Sequence, residues 1–102
     1  MRFYFVYILT NLNKTVLYIG MSGDIKRRIT EHGQGLIDGF SKKYHCKYLV
    51  HYEKYDKPDE AISREKMIKK WSRKKKENLI NKTNPEWKFL NEMIFGIDDE
   101  YL

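Results

Sequence analysis

The chain is short of the residues that staple small folds together. It has one cysteine, Cys46, and two prolines. A single thiol cannot close an intrachain disulfide, and there is no cysteine cluster to hold zinc. A lone cysteine reads as a small packed hydrophobe. No hydrophobic run approaches the ~18 residues that a membrane-spanning helix needs. The apolar stretch 3–9 is too short for a secretory leader, and no small-residue cleavage site follows it, so the cytoplasm is the expected compartment. The sequence also shows no internal repeat, no low-complexity segment and no linker.

What it does contain suits one small soluble domain. Of 102 residues, 41% are hydrophobic and 33% charged, enough apolar surface for one modest core. Lys and Arg total 20 against 14 acids, a formal charge of +6. That balance suits a polyanionic partner such as nucleic acid, and equally suits ordinary solubility. Residues 1–95 are expected to form the domain, and residues 96–102 a short acidic, frayed tail.

Residues 3–10 are β-branched and aromatic. Phe3, Phe5, Tyr7 and Leu9 fall on one face, and Tyr4, Val6 and Ile8 on the other. Both faces are apolar, which predicts a strand covered on both sides. A turn around Asn11 leads to a second strand, 16–21, and the short connection favours an antiparallel hairpin. Asp24 starts a helix over 24–33. A long glycine- and lysine-containing loop, 34–47, precedes a third strand, 48–53. Pro58 opens a helix to about residue 71, and Ser72 caps another over 73–81. Asn84 and Pro85 end it, and Trp87, Phe89, Leu90 and Met93 suggest a closing segment. The order β-β-α-β-α-α gives an α/β (α+β) fold.

Several residues sit where packing alone would not put them. Glu65 lies four residues after Ala61, three after Ile62 and three before Ile68, inside the apolar stripe of its helix. A carboxylate there needs a partner: a salt bridge at the core edge, or a bound metal ion. Asp24, Arg28 and His32 share one ridge of the first helix and can point to one spot. Tyr7 and Tyr18 lie on adjacent strands, where their hydroxyls can converge. Gly20, within a strand, marks the close approach of backbone or ligand. Segment 57–82 carries ten Lys or Arg and four acids. Three of its lysines, 74–76, occupy the first turn of a helix, where cations oppose the dipole. That placement fits phosphate contact or a solvated face.

The spaced set Val6-Tyr7-Ile8, Tyr18-Ile19-Gly20, Arg28, His32 and Glu65 resembles the GIY-YIG nuclease superfamily, most closely its small single-domain UPF0213-like members. Phe5 stands where the family has glycine, Gly23 or Asp24 where it has a helix-start asparagine, and Asn84 is a candidate for a later asparagine. The resemblance implies a three-stranded antiparallel sheet flanked by helices, and hydrolysis of DNA by in-line attack of water. It implies one divalent ion, Mg²⁺ or Mn²⁺, on Glu65. It also gives roles: Tyr7 or Tyr18, with Tyr7 favoured, activates the water; Arg28 stabilises phosphate charge; His32 orients the tyrosine or moves its proton. The expected nucleic-acid contacts are Gly20, Lys42, Lys43, Lys69, Lys70, Lys74 and Lys75. With no zinc spacing and no helix-turn-helix pattern, recognition of DNA shape (branches, flaps or nicks) is expected. The other reading is a non-catalytic nucleic-acid-binding module of the same fold.

Overall fold

A computed structural model describes residues 2–37 and 39–102; Met1, and Asp38 in the expected loop, lie outside the described residues. The strands are β1 (Tyr4–Thr10), β2 (Leu17–Ser22) and β3 (Tyr48–Tyr55). The helices are α1 (Ile25–Gly33), α2 (Phe40–Lys43), α3 (Pro58–Lys69), α4 (Arg73–Thr83) and α5 (Asn91–Gly96), followed by a 3₁₀ turn at Asp99–Tyr101.

The strands form one antiparallel sheet in the order β2-β1-β3. The two-sided apolar pattern of β1 is explained by this central position. Phe5, Tyr7 and Leu9 pack with Ile25 and Ile29 of α1, Leu49 of β3 and Ile94 of α5. Val6 and Ile8 pack on the opposite side with Ala61 and Ile68 of α3 and Ile80 of α4. A register shift between Ile8 and Leu9 accommodates an extra residue in β3, so Ile8 pairs with His51 and Leu9 with Leu49. Asn11 closes the β1–β2 turn, its Oδ1 accepting from the backbone N–H of Thr15 and Val16.

Two expectations about irregular regions are corrected. The loop 34–47 contains α2, a single turn too short to leave a periodic signal in the sequence. The C-terminal segment is not frayed. Lys26 pairs with Asp99 at 2.8 Å, Lys54 Nζ donates to the Tyr101 carbonyl at 2.9 Å, and Leu102 packs against the first layer.

Candidate active site

The hairpin register sets Tyr7 opposite Gly20 and Leu9 opposite Tyr18, so the two tyrosines are diagonal neighbours on one face. Their ring centroids are 6.5 Å apart. The imidazole of His32, from α1, meets both rings edge-on, at 5.7 Å from Tyr7 and 5.1 Å from Tyr18. Gly20 supplies the space. A β-carbon there would lie 2.4 Å from Cζ and the hydroxyl oxygen of Tyr7. The close approach read from Gly20 is therefore the tyrosine ring.

A buried hydrogen-bonded chain runs through these groups. Ser41 Oγ donates to the Cys46 carbonyl at 3.3 Å and lies 2.7 Å from His32 Nδ1. With its proton committed to that carbonyl, Ser41 accepts from Nδ1–H. This leaves Nε2 as an acceptor, 3.0 Å from the Tyr7 hydroxyl, which donates to it. Burial holds the His32 pKa down to about 4, with the Arg28 charge adding to that and Glu31 opposing it. The imidazole is thus neutral near pH 7. Burial pushes the Tyr7 phenol well above its ordinary value; Tyr18, Glu65 and Glu31 push the same way, while Arg28 pulls it down. Arg28 and Glu65 are therefore both close enough for their charges to act on the Tyr7 hydroxyl.

Of the α1 ridge, Arg28 and His32 stay near Tyr7, whereas Asp24 does not join them. Asp24 turns back to cap the helix, accepting from the Arg27 N–H at 3.2 Å. Arg28 pairs with Glu31 at 3.3 Å, not with Asp24, because the carboxylate of Asp24 is committed to the free N–H groups of the helix start. On α3 the buried stripe is narrower than expected. Ala61 and Ile68 are buried, whereas Ile62 is 41% exposed. Glu65 sits at the stripe's edge, its side chain 20% exposed, and pairs with Lys69 at 3.0 Å.

The lysines singled out in the sequence are all exposed. Lys69 pairs with Glu65, Lys43 lies over the Tyr44 ring and Lys75 over the Trp71 ring. Asn84 is buried and brackets a turn: its side chain donates to the Val50 and Lys88 carbonyls and accepts from the Lys88 N–H. Phe5 is core, 2% exposed.

Sequence reasoning missed Ser41 and a partly buried polar group on the other face. Glu53 accepts from His51 Nε2 at 2.8 Å, from the Tyr55 hydroxyl at 2.7 Å, and from Arg64 Nε and an Arg64 terminal nitrogen at 2.8 and 3.1 Å. Burial alone would raise the Glu53 carboxyl, but these donors outweigh it and hold the pKa down to about 2. The alternation His51, Glu53, Tyr55 along β3 was the available signal, since polar residues facing the same layer as Val6 and Ile8 need partners.

Residues 3–78 match the GIY-YIG catalytic domain, and the chain belongs to that family of nuclease-type domains. Its relatives are small proteins of similar length. It is 41% identical to a UPF0213 protein of Syntrophus aciditrophicus over 90 residues, covering 80% of this chain and 93% of that one. It is 36% identical to a UPF0213 protein of Natronomonas pharaonis over 77 residues, covering 76% and 89%. The solution NMR structure of a UPF0213 protein from Bacillus halodurans superposes with a TM-score of 0.56 at 26% identity, covering 94% of this chain and 99% of that one.

Proposed function

We propose that this chain is a metal-dependent endonuclease that hydrolyses phosphodiester bonds in DNA and selects branched, flapped or nicked substrates by shape. The observation that carries this reading is the buried chain Tyr7–His32–Ser41, set within the electrostatic reach of Arg28 and Glu65.

The donor chemistry fits a magnesium-like ion. Among the described residues no three His, Cys, Asp or Glu side chains gather around one point. Glu65 is then a single hard oxygen donor, which suits Mg²⁺ or Mn²⁺, ions that keep several waters and take further ligands from a phosphate. It does not suit zinc, which wants four close N or S ligands. Such an ion supplies Lewis-acid charge to a phosphoryl oxygen when bound.

The protein's own groups account for the proton. A phenol buried this well is not an ionised base at neutral pH, so Tyr7 acts as a relay. As a water oxygen forms its bond to phosphorus, its proton passes to the Tyr7 oxygen, and the Tyr7 proton passes to His32 Nε2. The ester oxygen on the far side leaves and takes a proton from solvent, and His32 releases its proton to solvent to reset the relay. Ser41 holds the tautomer that keeps Nε2 open, and Arg28 stabilises the charge gathering on the phosphate. The exposed Lys42, Lys43, Lys69, Lys70, Lys74 and Lys75 would hold flanking phosphates, which makes binding fall steeply with salt.

The test is cleavage of end-labelled branched and linear DNA with and without Mg²⁺ or Mn²⁺, beside Glu65→Ala and Arg28→Ala. Metal-dependent cutting lost in both variants, with DNA binding retained, supports the reading. Salt-sensitive binding without cutting on any substrate would replace it with a non-catalytic nucleic-acid-binding module.

A further inference from the structure

Helix α2 has two sides with different company. Inward, Ser41 is 2% exposed and bonded to His32. Outward, Phe40 and Tyr44 stand one turn apart with ring centroids 4.6 Å from each other. They are 49% and 39% exposed. The Lys43 ammonium lies 5.3 Å from the Tyr44 ring centroid. Segment 39–47 also carries Lys42 and Lys47, and no acid.

We propose that the Phe40–Tyr44 pair is a stacking platform for an unpaired base of the nucleic-acid substrate, held by α2 beside the catalytic chain. The inference rests on the nucleic-acid reading above and assigns its shape selectivity to named side chains. Exposed aromatic rings with a lysine ammonium beside them match a strand that offers both phosphates and free base faces. Paired bases have both faces covered by their neighbours in the duplex, so they present little to such a ring. A base freed at a flap, branch or nick presents a whole face. Ser41 and Phe40 are consecutive, so one helical turn carries both the platform on its outer side and the residue bonded to His32 on its inner side. Gly39 makes the entry to α2 possible, with φ of 90°, where a β-carbon would be strained.

The test is metal-free binding, read by fluorescence anisotropy, of a labelled single strand, the same strand with consecutive abasic positions, and a duplex. The variant is Phe40→Leu with Tyr44→Leu, which keeps apolar bulk but removes the rings; thermal melting confirms its fold, and Phe40→Trp with Tyr44→Trp serves as the ring-retaining control. We expect the leucine variant to bind the single strand roughly five-fold or more weakly, from the loss of one stacked base. Duplex binding should be unchanged, and the abasic strand should bind both proteins equally. The tryptophan variant should bind like the natural protein. Equal losses on single strand and duplex, or no loss on either, would overturn the platform. Failure of the natural protein to cut any substrate would count against the nuclease reading alone, since the binding comparison still decides the platform.

Discussion

Gly20 lies directly under the Tyr7 ring, and a β-carbon at Gly20 would stand 2.4 Å from the phenol oxygen. Tyr7 cannot step aside easily, because it is 1% exposed and its hydroxyl is bonded to His32. Gly20→Ala is therefore expected to cost about 1–3 kcal/mol of stability through overpacking. It should also abolish cleavage by pulling the phenol off His32 Nε2. Thermal unfolding and a cleavage assay check both effects; an alanine variant with natural stability and rate would contradict the packing described here.

Lys69 occupies the carboxylate to which a divalent ion would bind, at 3.0 Å from Glu65. Removing that competitor by Lys69→Met should tighten Mn²⁺ binding in calorimetry, and Glu65→Gln should eliminate it. Neither change should disturb the fold much, since an i,i+4 pair with a half-exposed lysine contributes only ~0.3–0.5 kcal/mol. Unaltered Mn²⁺ affinity in Lys69→Met would mean that the ion binds elsewhere.

Glu53 predicts a particular acid response. Its folded pKa of about 2 lies below the ordinary 4.5, so the folded state favours its ionised form. The stability it supplies is fully present above pH 4.5 and is lost as pH falls from there through about 2. The amount is on the order of 3 kcal/mol. Glu53→Gln should lower stability at neutral pH and flatten the pH dependence across that window, measured by urea unfolding at a series of pH values. A Gln variant with the natural slope would show that other carboxylates govern acid unfolding.

His32 should leave its mark on the rate. Held neutral down to about pH 4, it remains a proton acceptor where a free histidine at 6.5 would already be half protonated. The cleavage rate is expected to show no inflection near 6.5 and to fall only as pH approaches 4. Replacement by Gln should cost about 10²–10⁴-fold, the range for a positioned general base. An acid limb centred at 6.5 would mean that His32 titrates as an exposed group.

The sheet and its flanking helices were legible because β1 is apolar on both faces and the later helices carry clear start and stop residues. The nearness of Tyr7 and Tyr18 was legible because strand pairing is regular, so sequence distance converts to position; that His32 joins them was implied only by the family resemblance. Ser41 was not, since it reaches His32 through a nine-residue excursion that includes only one helical turn. Asp24 is a related case. It starts its helix as expected, but its carboxylate is taken up by the Arg27 N–H and so leaves the ridge it shares with Arg28 and His32. Ile62 illustrates a third limit, because the width of a buried stripe depends on how closely the sheet approaches the helix, which composition does not disclose.

Arg64 and Glu65 are neighbours on α3, about 100° apart around the helix axis. Arg64 is fastened to Glu53 by two hydrogen bonds, and Glu53 is fixed in turn by His51 and Tyr55. A helix resting on a sheet by small aliphatic contacts such as Ala61 and Ile68 can roll by several degrees at little cost. The Arg64 fork removes that freedom. It works as a key that sets the azimuth of the whole helix, so the direction in which the Glu65 carboxylate faces is decided by ionic contacts little more than a quarter-turn away around the rod.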